Sequence, residues 1–151
     1  MSLHRDISTF TSILRSRGTQ ASVDYLNAGV PHRYTGVYRI ESGMFRNVVL
    51  TDKLGEIKPE YLEVVPFEAS FCQFVVREGV FRTENSALDA RLDGHPYQGV
   101  VVCYHGVPMM GRDGELLGTL CHFDLQDHDI QDGEFQLLTM AGRVLPDFVP
   151  R

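Results

Sequence analysis

Cys103, His105, Cys121 and His122 fall in two apolar runs, 97–110 and 115–124, separated by Gly111-Arg112-Asp113-Gly114. Two such runs around a short Gly/Asp turn are the local pattern of a β-hairpin. With the turn centred on Arg112 and Asp113, Cys103 stands opposite His122 and His105 opposite Leu120. Strand alternation then puts Cys103, His105, Leu120 and His122 on one face. One thiol and two imidazoles at that spacing make a partial metal site. The plainer reading is a sheet covered on both sides whose polar residues bond to loops, and no metal is expected.

Cys72 opens a stretch with helical spacing, where a helix dipole favours the thiolate. The flanking Phe71 and Phe74 argue instead for a buried, unreactive thiol. Asp89 and Arg91 lie in a loop bounded by Gly94-His95-Pro96 and can either hold the polar end of a ligand or pair with each other. Tyr34, Tyr38 and Tyr104 supply aromatic surface on neighbouring strands, as core or as pocket wall. His95, before a proline, reads as a surface loop residue. No Ser/His/Asp spacing and no paired carboxylates in an apolar setting assemble a catalytic set, so no catalytic residue is assigned.

The chain that must position these groups has 151 residues, 43% of them hydrophobic and 23% charged, the makeup of one globular domain. Its net charge is −6 with no block of Lys or Arg, which argues against a nucleic-acid surface. No apolar run approaches the ~20 residues of a membrane helix. The opening MSLHRDISTF has no secretory apolar core, so no membrane role and a cytoplasmic location are expected. Three cysteines without C-x-x-C fit free thiols in a reducing compartment, although Cys103 and Cys121 in adjacent strands leave a cross-strand disulfide open in principle.

Ile7, Phe10, Ile13 and Leu14 predict a first helix, interrupted at Arg17-Gly18. Thr19 then caps a second helix carrying Val23 and Leu26, and one kinked helix remains the alternative. Strands are predicted at 32–40, 44–51, 80–83, 97–110 and 115–124, with a strand or loop edge at 61–65. A helix capped by Ser70 runs to Gly79. Asn85 to Asp93 forms a brief helical turn. A last helix, capped by Asp129 or Asp132, carries Phe135, Leu138, Ala141 and Leu145. Short connections between strands make this an α+β fold, a central antiparallel sheet with helices on both faces. The segment 1–18 is expected to stand as an N-terminal helical segment before a domain spanning 19–151.

Three patches carry a resemblance. They are His32-Arg33-Tyr34-Thr35-Gly36-Val37-Tyr38-Arg39; Ser70-Phe71-Cys72 with Asp89-Ala90-Arg91 and His95-Pro96; and the hairpin ending Gly118-Thr119-Leu120-Cys121-His122-Phe123-Asp124. Together they resemble a GAF domain, a PAS-related fold, over roughly residues 19–144. The resemblance implies a five- or six-stranded antiparallel sheet with the terminal helices on one face and a ligand pocket under the middle helices on the other. It implies a small-molecule-binding module in sensing, signalling or regulation, frequently a homodimer through its terminal helices. Nucleotide, tetrapyrrole, haem and small metabolite are all compatible, so the cofactor stays open. The expected pocket is bordered by Tyr38, Cys72, Asp89, Arg91, Cys103, His105 and His122.

A chain this short has no room for the kinase, cyclase or DNA-binding domain that GAF modules usually accompany. Output would then pass through a signalling partner protein or through the domain's own chemistry. Free methionine-R-sulfoxide reductases are similar to GAF domains and use two or three cysteines. Cys72 matches one of them, while the other positions fall near Tyr97 and Val64. A thiol-dependent reductase and a ligand-free interaction scaffold are therefore the alternative functions. Ile7, Phe10, Ile13 and Leu14 precede the matched region and are expected to seek a second copy of the chain.

Overall fold

In the computed structural model, described over residues 5–56, 58 and 62–149, six strands form one antiparallel sheet in the order β3-β2-β1-β6-β5-β4. The strands are β1 (Tyr34–Glu41), β2 (Met44–Asp52), β3 (Val64–Pro66), β4 (Phe81–Thr83), β5 (Cys103–Met110) and β6 (Leu116–Asp124). The helices are α1 (Ile7–Arg17), α2 (Thr19–Ala28), α3 (Cys72–Glu78) and α4 (Asp132–Val144). α1, α2 and α4 cover one face of the sheet, and the short α3 covers the other.

α1 starts where the Asp6 carboxylate accepts a hydrogen bond from the Thr9 N–H at 2.8 Å. It ends at Gly18, whose φ of +92° breaks the helical path, so there are two helices and Gly18, not Thr19, occupies the cap of α2. The apolar stripe of α1 is not left bare. Phe10 and Leu14 are 0% and 2% exposed, packed with Val23 and Leu26 of α2 and Leu137, Leu138 and Ala141 of α4. Residues 5–18 thus share a core with the rest of the chain. Neither Asp129 nor Asp132 caps α4. Gln131 holds that position without a side-chain bond, and the first turn is tied instead by Glu134 to Arg5 at 2.5 Å.

β5 begins only at Cys103. Residues 97–102 are turns, with the Tyr97 carbonyl accepting from the Val100 and Val101 N–H groups and Gly99 at φ +75°. β1 likewise begins at Tyr34 and leaves His32 outside the ladder. The β5–β6 hairpin carries a bulge between Met109 and Met110, which moves the register by one residue; its turn lies one further residue from the expected pairing, so the strands pair two residues from expectation. Cys103 faces Asp124, His105 faces His122, and Val107 faces Leu120. A two-residue shift keeps parity, so Cys103, His105, Leu120 and His122 do share a face. Gly118 marks a close approach of β6 to β1, since a Cβ there would collide with the Tyr38 carbonyl oxygen.

Candidate ligand site

Alternation along β1, β5 and β6 divides the expected pocket residues between two faces. Tyr34, Tyr38, Tyr104, Thr119, Cys121 and Phe123 point toward α3. Cys103, His105, His122 and Asp124 point toward the three-helix side. Cys72, on α3, faces the first group, so the backbone of the sheet lies between Cys72 and the Cys103/His105 face that was expected to border the same pocket. Asp89 and Arg91 take a third place, on the loop beside β4.

On the α3 face a cavity of about 50 Å³ is walled by Tyr38, Leu62, Phe71, Tyr97, Val101 and Phe123, with Cys72, Tyr104 and Cys121 at its polar end. Gly106 makes this end possible. Tyr104 lies back across it, and a Cβ at Gly106 would stand 2.6 Å from the phenol oxygen. Laid down in this way, the Tyr104 hydroxyl donates to the Cys72 sulfur at 3.1 Å, and the Thr119 hydroxyl donates to the same sulfur at 3.1 Å. The Ser70 hydroxyl accepts from the Cys72 N–H at 2.9 Å, and Phe71, one residue after the expected cap, holds the N-cap position of α3.

Burial alone would raise the Cys72 thiol. Hydrogen bonds from Cys121, Ser70, Thr119 and Tyr104 outweigh it and hold Cys72 below the ordinary thiol value, while burial and the neighbouring Cys72 push Cys121 well up. The thiolate is favoured here by converging side-chain donors, not by the seven-residue helix it opens. Tyr38 spends its hydroxyl on the Leu62 carbonyl at 3.1 Å.

On the opposite face four imidazoles gather. His32 lies 5.0 Å from His105, 5.5 Å from His122 and 5.6 Å from His128, ring centre to ring centre. His32 Nε2 and His105 Nδ1 are 2.9 Å apart and share one proton. Whichever ring donates, the outer nitrogens, His32 Nδ1 and His105 Nε2, are left buried without a partner. Thr35 accepts from Asn27 at 2.8 Å and sits 2.6 Å from His122 Nδ1. Asp124 accepts from His128 at 3.0 Å and from the Arg33 N–H at 2.9 Å. Burial first, then neighbouring positive groups, lowers His32 to about 3 and His105 to about 4, and puts His122 well below its ordinary value. Cys103, beneath this cluster, is pushed up to about 12 by burial and by Asp124. Among the described residues, no group of three His, Cys, Asp or Glu side chains is arranged to hold a metal ion.

Asp89 and Arg91 pair with each other at 2.6 Å, and Arg91 also donates to the Arg82 carbonyl at 2.8 Å. They line an open groove of about 550 Å³ with Arg82, Asp129 and His105. His95 is more than a surface residue: it is half-buried against Phe71, 4.6 Å between ring centres. Sequence reasoning missed Thr119 and the Tyr104 hydroxyl as partners of Cys72, and His32 and His128 as members of the histidine cluster. The Tyr-x-Gly spacing of Tyr104 and Gly106 was the one available signal for the first.

By sequence, no family model and no curated protein matches the chain. Solved structures do. A GAF domain from an Acinetobacter phosphoenolpyruvate-protein phosphotransferase superposes with a TM-score of 0.74 at 14% identity, covering 94% of this chain and 89% of that one. The fold is that of a GAF domain. The chromophore-binding domain of Stigmatella aurantiaca phytochrome P1 has a TM-score of 0.75 at 11% identity, covering 99% of this chain and 64% of that one. The free methionine-R-sulfoxide reductase of Neisseria meningitidis, in complex with its substrate, has a TM-score of 0.70 at 14% identity, covering 93% and 84%. One fold is thus shared with phosphotransferase, phytochrome and reductase proteins, and the fold alone does not choose among them. The described part of the chain holds no helix long and apolar enough to cross a membrane.

Proposed function

We propose that this GAF domain is a small-molecule-binding sensory or regulatory module whose ligand enters the cavity between α3 and the sheet. The observation that carries this reading is an apolar, aromatic-walled cavity whose polar groups converge at one end, the usual makeup of a ligand site. The cavity, at about 50 Å³, is far below the roughly 300–1,000 Å³ of drug-sized pockets, so the ligand is small or is admitted by movement of α3 and residues 97–101. The three free cysteines support a cytoplasmic setting. Homodimerisation through α1 and α4 belongs to the same reading. Because the α1 stripe is covered, the supporting surface is the exposed Met140 on α4 with Phe148 just beyond it.

Native mass spectrometry of protein as purified tests ligand binding, with Val101→Phe as the variant that fills the cavity. A bound mass present in the wild type and lost in Val101→Phe supports the reading. Absence of any bound mass, together with no thermal shift from nucleotides, haem, bilins or amino acids, refutes it and favours the interaction scaffold. Sedimentation of wild type and Met140→Asp tests the dimer, which a monomeric wild type would end.

The second reading, a thiol-dependent sulfoxide reductase, is favoured by one observation: Cys72 faces the cavity with a second thiol, Cys121, beside it. Turnover of free methionine sulfoxide with a thiol reductant would establish it. An inert protein would dismiss it.

A further inference from the structure

Cys72 of α3 and Cys121 of β6 line the same cavity, which has space for only a few heavy atoms. Two hydroxyl donors converge on one sulfur, those of Tyr104 and Thr119, each at 3.1 Å, beside the Cys121 thiol, which also lies 3.7 Å from the Gly36 carbonyl oxygen. A structural thiol in an apolar core has no need of such company, because it packs as a small hydrophobe. Cys103, 0% exposed on the other face, has backbone hydrogen bonds from His128 and Asp124 but no hydroxyl donor, and burial pushes its thiol up. The cavity is too small as it stands for an amino-acid sulfoxide but admits a molecule of two to four heavy atoms.

We propose that Cys72 and Cys121 form a reversible thiol–disulfide site for small hydroperoxides, with Cys72 attacking, Cys121 resolving, and Tyr104 and Thr119 positioning the Cys72 sulfur. In the first step the Cys72 thiolate attacks the terminal peroxide oxygen. An S–O bond forms, the O–O bond breaks, and the departing oxygen leaves as water or alcohol after taking a proton. The product is a sulfenic acid on Cys72. In the second step the Cys121 sulfur attacks the Cys72 sulfur, an S–S bond forms, and the S–O bond breaks. The hydroxide released takes the Cys121 proton and leaves as water. Two thiols lose two electrons and the peroxide gains two, and an external dithiol restores the reduced pair.

The donors serve both steps. They raise the fraction of Cys72 that is thiolate, while the protonated Cys121 stays close enough to trap the sulfenic acid before a second peroxide oxidises it further. Because this step concerns the thiols themselves, it stands or falls separately from binding of a non-covalent ligand.

Hydrogen peroxide is the probe, and intact-mass and peptide analysis of the full chain is the readout. The wild type is expected to lose two hydrogens and to yield a peptide pair joined through Cys72 and Cys121, at a rate at least ten times that of free glutathione at the same pH. Cys121→Ser is expected to stop at a sulfenic acid on Cys72 that dimedone captures, Cys72→Ser to give neither product, and Cys103→Ser to behave as wild type. Tyr104→Phe should slow the first step about tenfold without changing the product, a rate effect that a purely structural tyrosine would not show. Circular dichroism checks that each variant folds, and alanine replaces serine where one does not. An unchanged wild-type mass under excess peroxide, oxidation centred on Cys103, or a wild type that runs to sulfinic acid without a disulfide would each overturn the proposal. Peroxide reactivity without any bound mass in native spectra would leave this site standing while removing the ligand reading.

Discussion

Acid should unfold this protein earlier than its carboxylates alone would dictate, because His32, His105 and His122 are buried in the neutral form. An imidazole that stays neutral in the fold but protonates in the unfolded chain makes the unfolded state the better proton binder. Stability therefore falls as pH drops through the ordinary value of 6.5, and continues to fall until the folded-state values near 3 for His32 and 4 for His105 are reached. Between pH 7.5 and pH 5 each such histidine costs about 2 kcal/mol, and three cost about 6 kcal/mol. That loss is comparable to the whole stability of a domain at the lower end of the usual ~5–15 kcal/mol. The groups facing the cluster point mostly the same way: Lys53, Arg82, His128 and Arg5 disfavour added charge, Asp129 favours it, and the Asp124 carboxylate is paired with His128. Asp52 and Asp89, held low chiefly by their hydrogen bonds from Arg33 and Arg91, lose their contribution only below the ordinary carboxylate value of 3.8, so the two limbs separate. Urea titrations at pH 7.5, 6 and 5 measure the slope. His105→Gln should remove about 2 kcal/mol from it. A stability that changes by less than about 1 kcal/mol from pH 7.5 to pH 5 would refute the assignment of neutral, buried imidazoles.

Alkylation of the native protein should modify Cys72 ahead of Cys103 and Cys121, since both of those are 0% exposed and pushed up while Cys72 is held low; mass mapping after timed iodoacetamide exposure checks the order. Leu138→Ala, at a 0% exposed position between α4 and the sheet, should cost about 2–5 kcal/mol in chemical unfolding. Arg91→Ala should cost less than about 1 kcal/mol, because its pair with Asp89 is half open to water, and a larger loss would show that the loop carries more than its own order. Gly106→Ala should push the Tyr104 ring off Cys72 and raise the pH at which the thiol alkylates, with little change in secondary structure by circular dichroism.

The sheet was legible from the sequence because alternation and turn chemistry are local signals. Strands β1, β2, β4 and β6 begin and end within two residues of expectation, and the face shared by Cys103, His105 and His122 survived a two-residue error in register. Parity, not register, decides faces. The site was less legible. Whether α3 lies over the even or odd residues of β5 depends on long-range packing, and no spacing in the sequence encodes it. The bulge at Met109 and Met110 and the turns at 97–102 lie in apolar stretches that read as uninterrupted strand. The cover found by Phe10 and Leu14 likewise depends on the placement of α4, more than a hundred residues away in the chain.

Neighbouring residues on β5 and β6 serve opposite faces: Tyr104 beside His105, Cys121 beside His122. Two chemistries thus run along the same strands, interleaved residue by residue yet insulated by a single thickness of backbone. A substitution at 121 should register in oxidation and leave the acid limb alone, and one at 122 should do the reverse. Lineages carrying this fold can therefore retune one layer without renegotiating the other. A single-residue deletion inside either strand is the exception, because it would exchange the two environments at once.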